Sequence, residues 1–232
     1  MAARVGTTAD ASRRNFIAVY GASGVGKTSL LHSMNASAIE MGGAVLQIDC
    51  DDGNLAVKDM SYPSVGCDYL QDVYDVLGWV EHDPNWQKFT HIMIDGGSAL
   101  GESILQQYLQ IHSHPQKAYG ELISAFLNFI AYIKRVFKDK IIVMTFQQKY
   151  MQDDVKRMFY SLDLPGQKLA PQMPYRFDEV LCLRIMPDSE GKQQRVLQAQ
   201  PDMTYDAKDR SGKLAQFNPA DMQHVINQIR AV

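Results

Sequence analysis

Residues 21–28 read Gly21-Ala22-Ser23-Gly24-Val25-Gly26-Lys27-Thr28, a complete GxxxxGK[ST]. Each residue type in that spacing answers a need of polyphosphate binding. Glycines let backbone N–H groups turn toward phosphate oxygens with no Cβ in the way, and the N-terminus of a following helix adds partial positive charge. Lys27 has the reach for β- and γ-phosphates, and the Thr28 hydroxyl can ligate Mg²⁺. The expected nucleotide cradle therefore runs from Gly21 through Ser29, with ATP and Mg²⁺ as its ligands. A glycine-rich turn with a chance Lys-Thr is the alternative, and the flanking strand and helix patterns argue against it.

Three further groups stand at the ends of apolar runs. Asp95 closes Ile92-Met93-Ile94 and fits the magnesium aspartate that phosphate-loop proteins carry on a neighbouring strand. Asp49-Cys50-Asp51-Asp52-Gly53 ends another run, and Asp51 is the candidate to orient or deprotonate a hydrolytic water, with a plain turn acid as the other reading. Gln147 and Gln148 follow a third run. The Gln147 amide could hydrogen-bond the γ-phosphate and report its loss to the next segment, or could be an ordinary polar strand exit.

Residues 149–176 carry Lys149, Lys156, Arg157, Lys168 and Arg176 against Asp153, Asp154 and Asp163, a balance of +2, with Tyr150, Phe159, Tyr160 and Tyr175 interleaved. Cations can track a phosphate backbone while rings stack on unpaired bases, the sequence-independent way of holding single-stranded nucleic acid. Lys149, Tyr150, Lys156, Arg157, Lys168 and Arg176 are the candidate contacts. A lid or subunit-contact loop is the other reading. His112 and His114 lack a third ligand and read as loop residues. Trp79 and Trp86 read as packing residues, with adenine stacking as the alternative.

The elements that must position these groups alternate. Phe16–Tyr20 is an apolar strand, followed by a helix from Lys27 to about Met41 that Gly42-Gly43 would end. Ala44–Ile48 and His91–Asp95 are further strands, with a weaker helical region at about 70–79 between them. Residues 117–138 show apolar positions at 3/4/7 spacing, a long amphipathic helix, and Ile141–Phe146 follows as another strand. Continuous apolar strands separated by helices imply a mostly parallel sheet covered on both faces. Residues 149–176 read as irregular. Val180–Ile185 and Arg195–Gln200 read as a C-terminal β-hairpin, and Asn218-Pro219 as the cap of a last helix. Residues 1–14 lack periodicity and read as a flexible tail, leaving 15–232 as a single domain.

Composition narrows the setting. The chain has 232 residues, is 46% hydrophobic and 21% charged, and carries a net charge of −3. That excludes a uniformly basic nucleic-acid binder while leaving room for a local patch. No apolar run approaches the ~20 residues that span a bilayer. Cys50, Cys67 and Cys182 form no CxxC pair and fit a reducing cytosol.

Taken in order, these motifs resemble the RecA-like ATPases, and more closely the phage and prophage ATP-binding proteins related to single-strand-annealing recombinases. The residues that carry the resemblance are Gly21–Thr28, Ile48–Gly53 and Ile92–Asp95, then Gln116-Lys117-Ala118-Tyr119-Gly120, Phe177–Val180 and Ala207–Leu214. The resemblance implies a RecA-like core and ATP-dependent action on single-stranded DNA in phage recombination. It implies a homo-oligomer, ring or filament, in a bacterial cytoplasm, with a single-stranded-DNA-binding protein as a possible partner. It further implies that Lys208 and Arg210, two residues apart on an extended segment and so on one side of it, reach the γ-phosphate held by the next subunit. A solvated basic turn is the alternative. Two positions depart from the pattern: Asp51 where Glu is usual, and Gly96 where Ser or Thr follows the magnesium aspartate. An ATP-gated loader of a replication partner and a small-molecule kinase are the rival functions.

Overall fold

A computed structural model describes residues 15–153 and 155–231. The N-terminal tail expected from the sequence lies outside the described residues, as does Asp154.

The expected α/β core is present. Its parallel strands are β1 (Asn15–Gly21), β2 (Ala44–Asp49), β3 (Ser64–Gly66), β4 (Phe89–Asp95), β5 (Ile141–Gln152) and β7 (Glu179–Pro187); β6 (Met158–Leu162), β8 (Gln193–Gln198), β9 (Lys208–Asp209) and β10 (Phe217–Pro219) run antiparallel to their partners. The order across the sheet is β10-β8-β7-β1-β5-β4-β2-β3, with β6 on β5 and β9 on β7.

Every residue of β1 is buried because both faces are covered. The period-2 pleat divides it: Phe16, Ala18 and Tyr20 face one core, Ile17 and Val19 the other. The first core is closed by α2 (Leu70–His82), α3 (Gly97–Ile111) and α4 (Pro115–Val136), the second by α1 (Leu31–Glu40) and α5 (Met222–Arg230). The periodicity read in 117–138 belongs to α4, which buries Ala118, Leu122, Phe126, Phe129, Ile130 and Ile133. Among the described residues no helix is long and apolar enough to cross a membrane. Cys67 and Cys182 are buried thiols and Cys50 is half-buried.

Four local readings are corrected. Asp95 is not on a strand adjacent to β1, because β5 pairs with both β1 and β4 and so stands between them. Helix α3, for which the sequence reading gave no element, starts directly after Gly96, and its Leu100, Ile104 and Leu105 bury one stripe against the core. Asn218-Pro219 does not cap the last helix. Those residues form β10, with the buried Asn218 amide donating to the Leu197 and Ala215 carbonyls, and the Asp221 carboxylate accepts from His224 N–H at 3.0 Å as the cap.

The largest correction concerns 149–176. Strand β5 does not stop at Phe146 but runs on to Gln152 and folds back as β6, with Tyr150 opposite Tyr160. The Asp153 carboxylate accepts from the Val155 and Arg157 amides and closes the turn, where Lys156 takes φ 63°. Both faces of this ribbon are partly solvated, so it lacks the apolar alternation by which strands are recognised. Residues 170–175 are a 3₁₀ turn.

Candidate functional site

The loop after β1 opens onto a cleft of about 620 Å³ at the end of the parallel strands where β1, β2, β4 and β5 all exit or pass. Its walls are Ala22, Ser23, Gly24 and Gly26 to Ser29 on one side, and Asp51, Gly53, Asp95, Gln147 and Gln148 on the other. Ligands of open α/β sheets bind at this edge. Val25 turns its side chain inward, 6% exposed, and roots the loop in the core. The helix after the loop begins with a 3₁₀ turn at Thr28–Leu30 before α1, so its first amide groups face the cleft end of the helix.

The Lys27 ammonium donates to the Gly21 and Ala22 carbonyls at 3.0 and 2.9 Å. Burial holds its pKa below the usual lysine value, against the opposing pull of the Asp95 and Asp51 charges.

Across the cleft, Asp49, Asp51 and Asp95 bring carboxylate oxygens within 4.8 Å of one another. Asp95, 1% exposed, accepts from the Thr145 hydroxyl, and Thr145 in turn accepts from the Gly96 amide at 3.0 Å. Burial raises the Asp95 pKa, and hydrogen bonds from Thr145 and Thr28 oppose the rise. Asp49 accepts from the amides of Asp51 and Gly53 at 3.3 and 3.1 Å, which folds the acidic turn over the end of β2. Asp51 lies at the rim. Protein atoms crowding its carboxylate, then the Asp95 and Asp49 charges, push its pKa up to about 6, while Lys27 and the Gly53 amide pull it down. A carboxylate poised there suits proton abstraction near neutral pH.

The site tests well for Mg²⁺. A Cβ built on Gly53 would lie 2.9 Å from an Asp51 oxygen and 3.3 Å from both an Asp95 oxygen and the Thr28 hydroxyl. Three hard oxygen donors thus converge on a small space bounded by a residue with no side chain, the donor set this cation takes. The departure at Gly96 has a physical cause in the same corner. Gly96 takes φ +98°, and a Cβ on it would come within 3.0 Å of Asp51, so a Ser or Thr there would displace the rim acid.

With this geometry in view, a family model described as an AAA domain matches residues 13–211. The chain belongs to this family of P-loop ATPases. No curated protein matches it. In this AAA-domain ATPase the loop, Lys27, Thr28, Asp51, Asp95 and Gln147 are brought to one cleft by four separate strands.

The other candidates lie elsewhere. Strand β9 pairs Asp209 with Glu179, and Glu179 lies opposite Ile17 on β1. Lys208 and Arg210 are therefore four residues of β1, roughly 13 Å, below the loop, toward the opposite edge of the sheet. Both turn toward the same segment. Lys208 donates to the Pro174 and Phe177 carbonyls, and Arg210, with a side chain 67% exposed, pairs with Asp178 at 3.0 Å. Lys149, Tyr150, Lys156 and Arg157 share the β5–β6 ribbon. Lys149 pairs with Asp163 at 3.0 Å, Arg157 with Asp153 at 3.0 Å, and the Tyr150 ring, 54% exposed, lies 4.8 Å from Tyr160. Lys168 is exposed beyond the ribbon. Arg176 lines a different cleft, of about 360 Å³, with Lys134, Arg135 and Tyr175. Trp79 and Trp86 pack on each other, centroids 5.2 Å apart, in keeping with a packing role.

Sequence reasoning missed Asp49, Thr145 and Ser98 as site-builders. The Ser98 hydroxyl accepts from the Gln147 amide at 3.0 Å and donates to the Asp163 carbonyl at 2.6 Å, clamping the start of α3 to the root of the ribbon. A Thr one residue before the end of an apolar run carries no signal until the neighbouring strand is known.

Proposed function

We propose that this P-loop ATPase binds Mg·ATP at the cleft, hydrolyses it, and couples the nucleotide to single-stranded DNA held by the β5–β6 ribbon, in recombination or strand annealing of the phage type. One observation carries the reading: β5 is a single continuous strand serving both sites. At its root Thr145 bonds Asp95, and Gln147 and Gln148 line the cleft. Two and three residues beyond Gln147, the same strand bears Lys149 and Tyr150, and it then turns toward Arg157. A change at the γ-phosphate end of the cleft has a short, hydrogen-bonded path to the ribbon.

In this reading Lys27, the loop amides and Thr28 hold the phosphates, and Thr28 and Asp95, with Asp51 at the rim, would hold a Mg²⁺ that would supply charge neutralisation on the phosphates. Asp51 orients the attacking water. Lys208 and Arg210 cannot serve the loop of their own chain from the far edge of the sheet, so they would act on a neighbouring subunit in a ring or filament. Tyr150 and Tyr160 offer stacking faces for bases.

A second reading draws on the same ribbon. Its cations Lys149 and Arg157 are already paired with Asp163 and Asp153, which weakens the attraction for a phosphate backbone and suits a protein partner loaded under ATP control.

ATP turnover measured with and without single-stranded DNA, alongside particle size with a non-hydrolysable analogue, separates the two. Stimulation together with assembly is expected. Turnover indifferent to DNA at low salt would favour the loader, and phosphate transfer to a nucleoside would overturn both.

A further inference from the structure

Arg195 was not singled out by the sequence, and it stands beside the phosphate loop. It lies on β8 opposite Ile185 of β7, and Cys182 of β7 lies opposite Tyr20 of β1. Arg195 is thus carried three residues beyond Tyr20, the last residue of β1 paired with β7, to the height of the loop. Its guanidinium closes on the loop backbone: a Cβ on Gly26 would sit 2.3 Å from Arg195 Nη1. Gly26, at φ +100°, is required here by the backbone, and its missing Cβ leaves the room that the Arg195 tip occupies.

The neighbouring arginine shows what a structural role on this ribbon looks like. Arg184 donates to the Gln198 side chain at 2.7 Å, faces Asp202 at 3.7 Å, and lies 4.1 Å over the Tyr205 ring. Arg195 is exposed, and among the described residues no hydrogen bond or ion pair holds it. Asp188, at the tip of the same hairpin, has turned its carboxylate onto the Glu190 and Lys192 amides, both at 2.9 Å. The cleft is consequently polarised. Three carboxylates crowd the Gly53 side, while the Arg195 guanidinium, just outside the cleft's lining and unpaired among the described residues, stands beside Gly26 and the loop backbone.

The geometry points to Arg195 as a second phosphate-binding cation of the nucleotide site, supplied in cis from the C-terminal hairpin and directed at the α- and β-phosphates. Loop amides cradle these two phosphates, whereas the loop lysine reaches toward β and γ. A planar, permanently charged fork suits two phosphate oxygens better than an ammonium would. The assignment rests on the nucleotide reading of the cleft and adds to it a residue 168 positions away from Lys27 in sequence. It also predicts a division of labour: Arg195 acts on ground-state binding of di- and triphosphate alike, while Arg210 acts on turnover.

Titration calorimetry of the full chain with Mg·ADP and with a non-hydrolysable ATP analogue tests this. Arg195→Gln should weaken both nucleotides by about tenfold with their ratio unchanged, as expected for loss of one charge-assisted contact, and Arg195→Lys should recover part of the loss. Circular dichroism should be unchanged, since the side chain is exposed. Wild-type affinity in Arg195→Gln would overturn the assignment. So would weakening confined to the triphosphate, which would make Arg195 a γ-phosphate sensor, or a gain in affinity, which would make it a cover over the loop. A wild-type chain that binds neither nucleotide would instead sink the cleft reading on which the assignment rests.

Discussion

Two charged clusters at opposite edges of the sheet are built from the same parts. At one edge Lys27 donates to two backbone carbonyls beside Asp49, Asp51 and Asp95; at the other Lys208 donates to two backbone carbonyls beside Asp178, Glu179 and Asp209. Their hydrogen bonding differs. Asp209 is saturated by the Ser211 hydroxyl and the Gly212 and Leu214 amides, and Glu179, 3% exposed, accepts from the Arg210 and Ser211 amides. Burial, then the Asp209 charge, pushes the Glu179 pKa up to about 8, so near neutral pH a proton is shared within that pair. In the upper cluster Asp49 is bonded to the Asp51 and Gly53 amides and Asp95 to the Thr145 hydroxyl, yet one Asp51 oxygen and one Asp95 oxygen still face the space at Gly53. Asp209 and Glu179 spend their acceptors on the adjoining backbone, whereas Asp51 and Asp95 each keep an oxygen directed at the cleft.

The strongest test of this contrast is Lys27→Ala. ATP turnover should fall by about 100-fold or more through loss of phosphate stabilisation, with little change in melting temperature. A large drop in melting temperature with turnover retained would make the upper cluster a staple like the lower one. Glu179→Ala should do the reverse, costing about 2 kcal/mol in urea unfolding, because the part-buried Arg210 and Ser211 amides and the Asp209 carboxylate lose their buried partner. Nucleotide affinity should hold.

Acidity sharpens the same comparison. The unfolded chain releases the Glu179 proton near the usual 4.5, whereas the folded chain keeps it to about 8. The contribution of Glu179 is therefore fully present below about pH 4.5 and is lost progressively as pH rises to 8, with a slope no steeper than about 1.4 kcal/mol per pH unit. Stability of Glu179→Gln should lack that decline, and an unchanged slope would remove Glu179 from the account. A smaller effect on stability, about 1 kcal/mol, is expected from Arg210→Ala, because the Arg210 side chain is 67% exposed while its buried partner Asp178 keeps Lys134 at 4.0 Å. If Arg210 reaches a neighbouring subunit, that variant should nonetheless lose turnover while binding ATP normally. Full turnover would leave Arg210 as a surface contact.

How much of this was legible in the chain depends on how local each determinant is. The phosphate loop was readable residue by residue because backbone conformation and ligand contact are set within eight positions. The buried strands and α4 were readable from unbroken apolar runs and a 3/4/7 stripe. The β5–β6 ribbon was not, since its stability comes from pairing across a turn and from rings such as Tyr150, Tyr160 and Tyr205 stacking over one another. Asp221 was passed over as the helix cap in favour of Asn218-Pro219, because propensity at a helix start cannot register that Asn218 is already bonded into the sheet.

The sequence by itself determined that a P-loop exists, which residues compose it, and that a layered α/β sheet carries it, because spacing and hydrophobic period are properties of the chain. Tertiary structure alone decided which acids face the loop, that β5 lies between β1 and β4, that Lys208 and Arg210 stand at the far edge, and that Arg195 leans on Gly26. Those facts depend on strand order and register, which bring together residues more than a hundred positions apart and leave no trace in any short window of sequence.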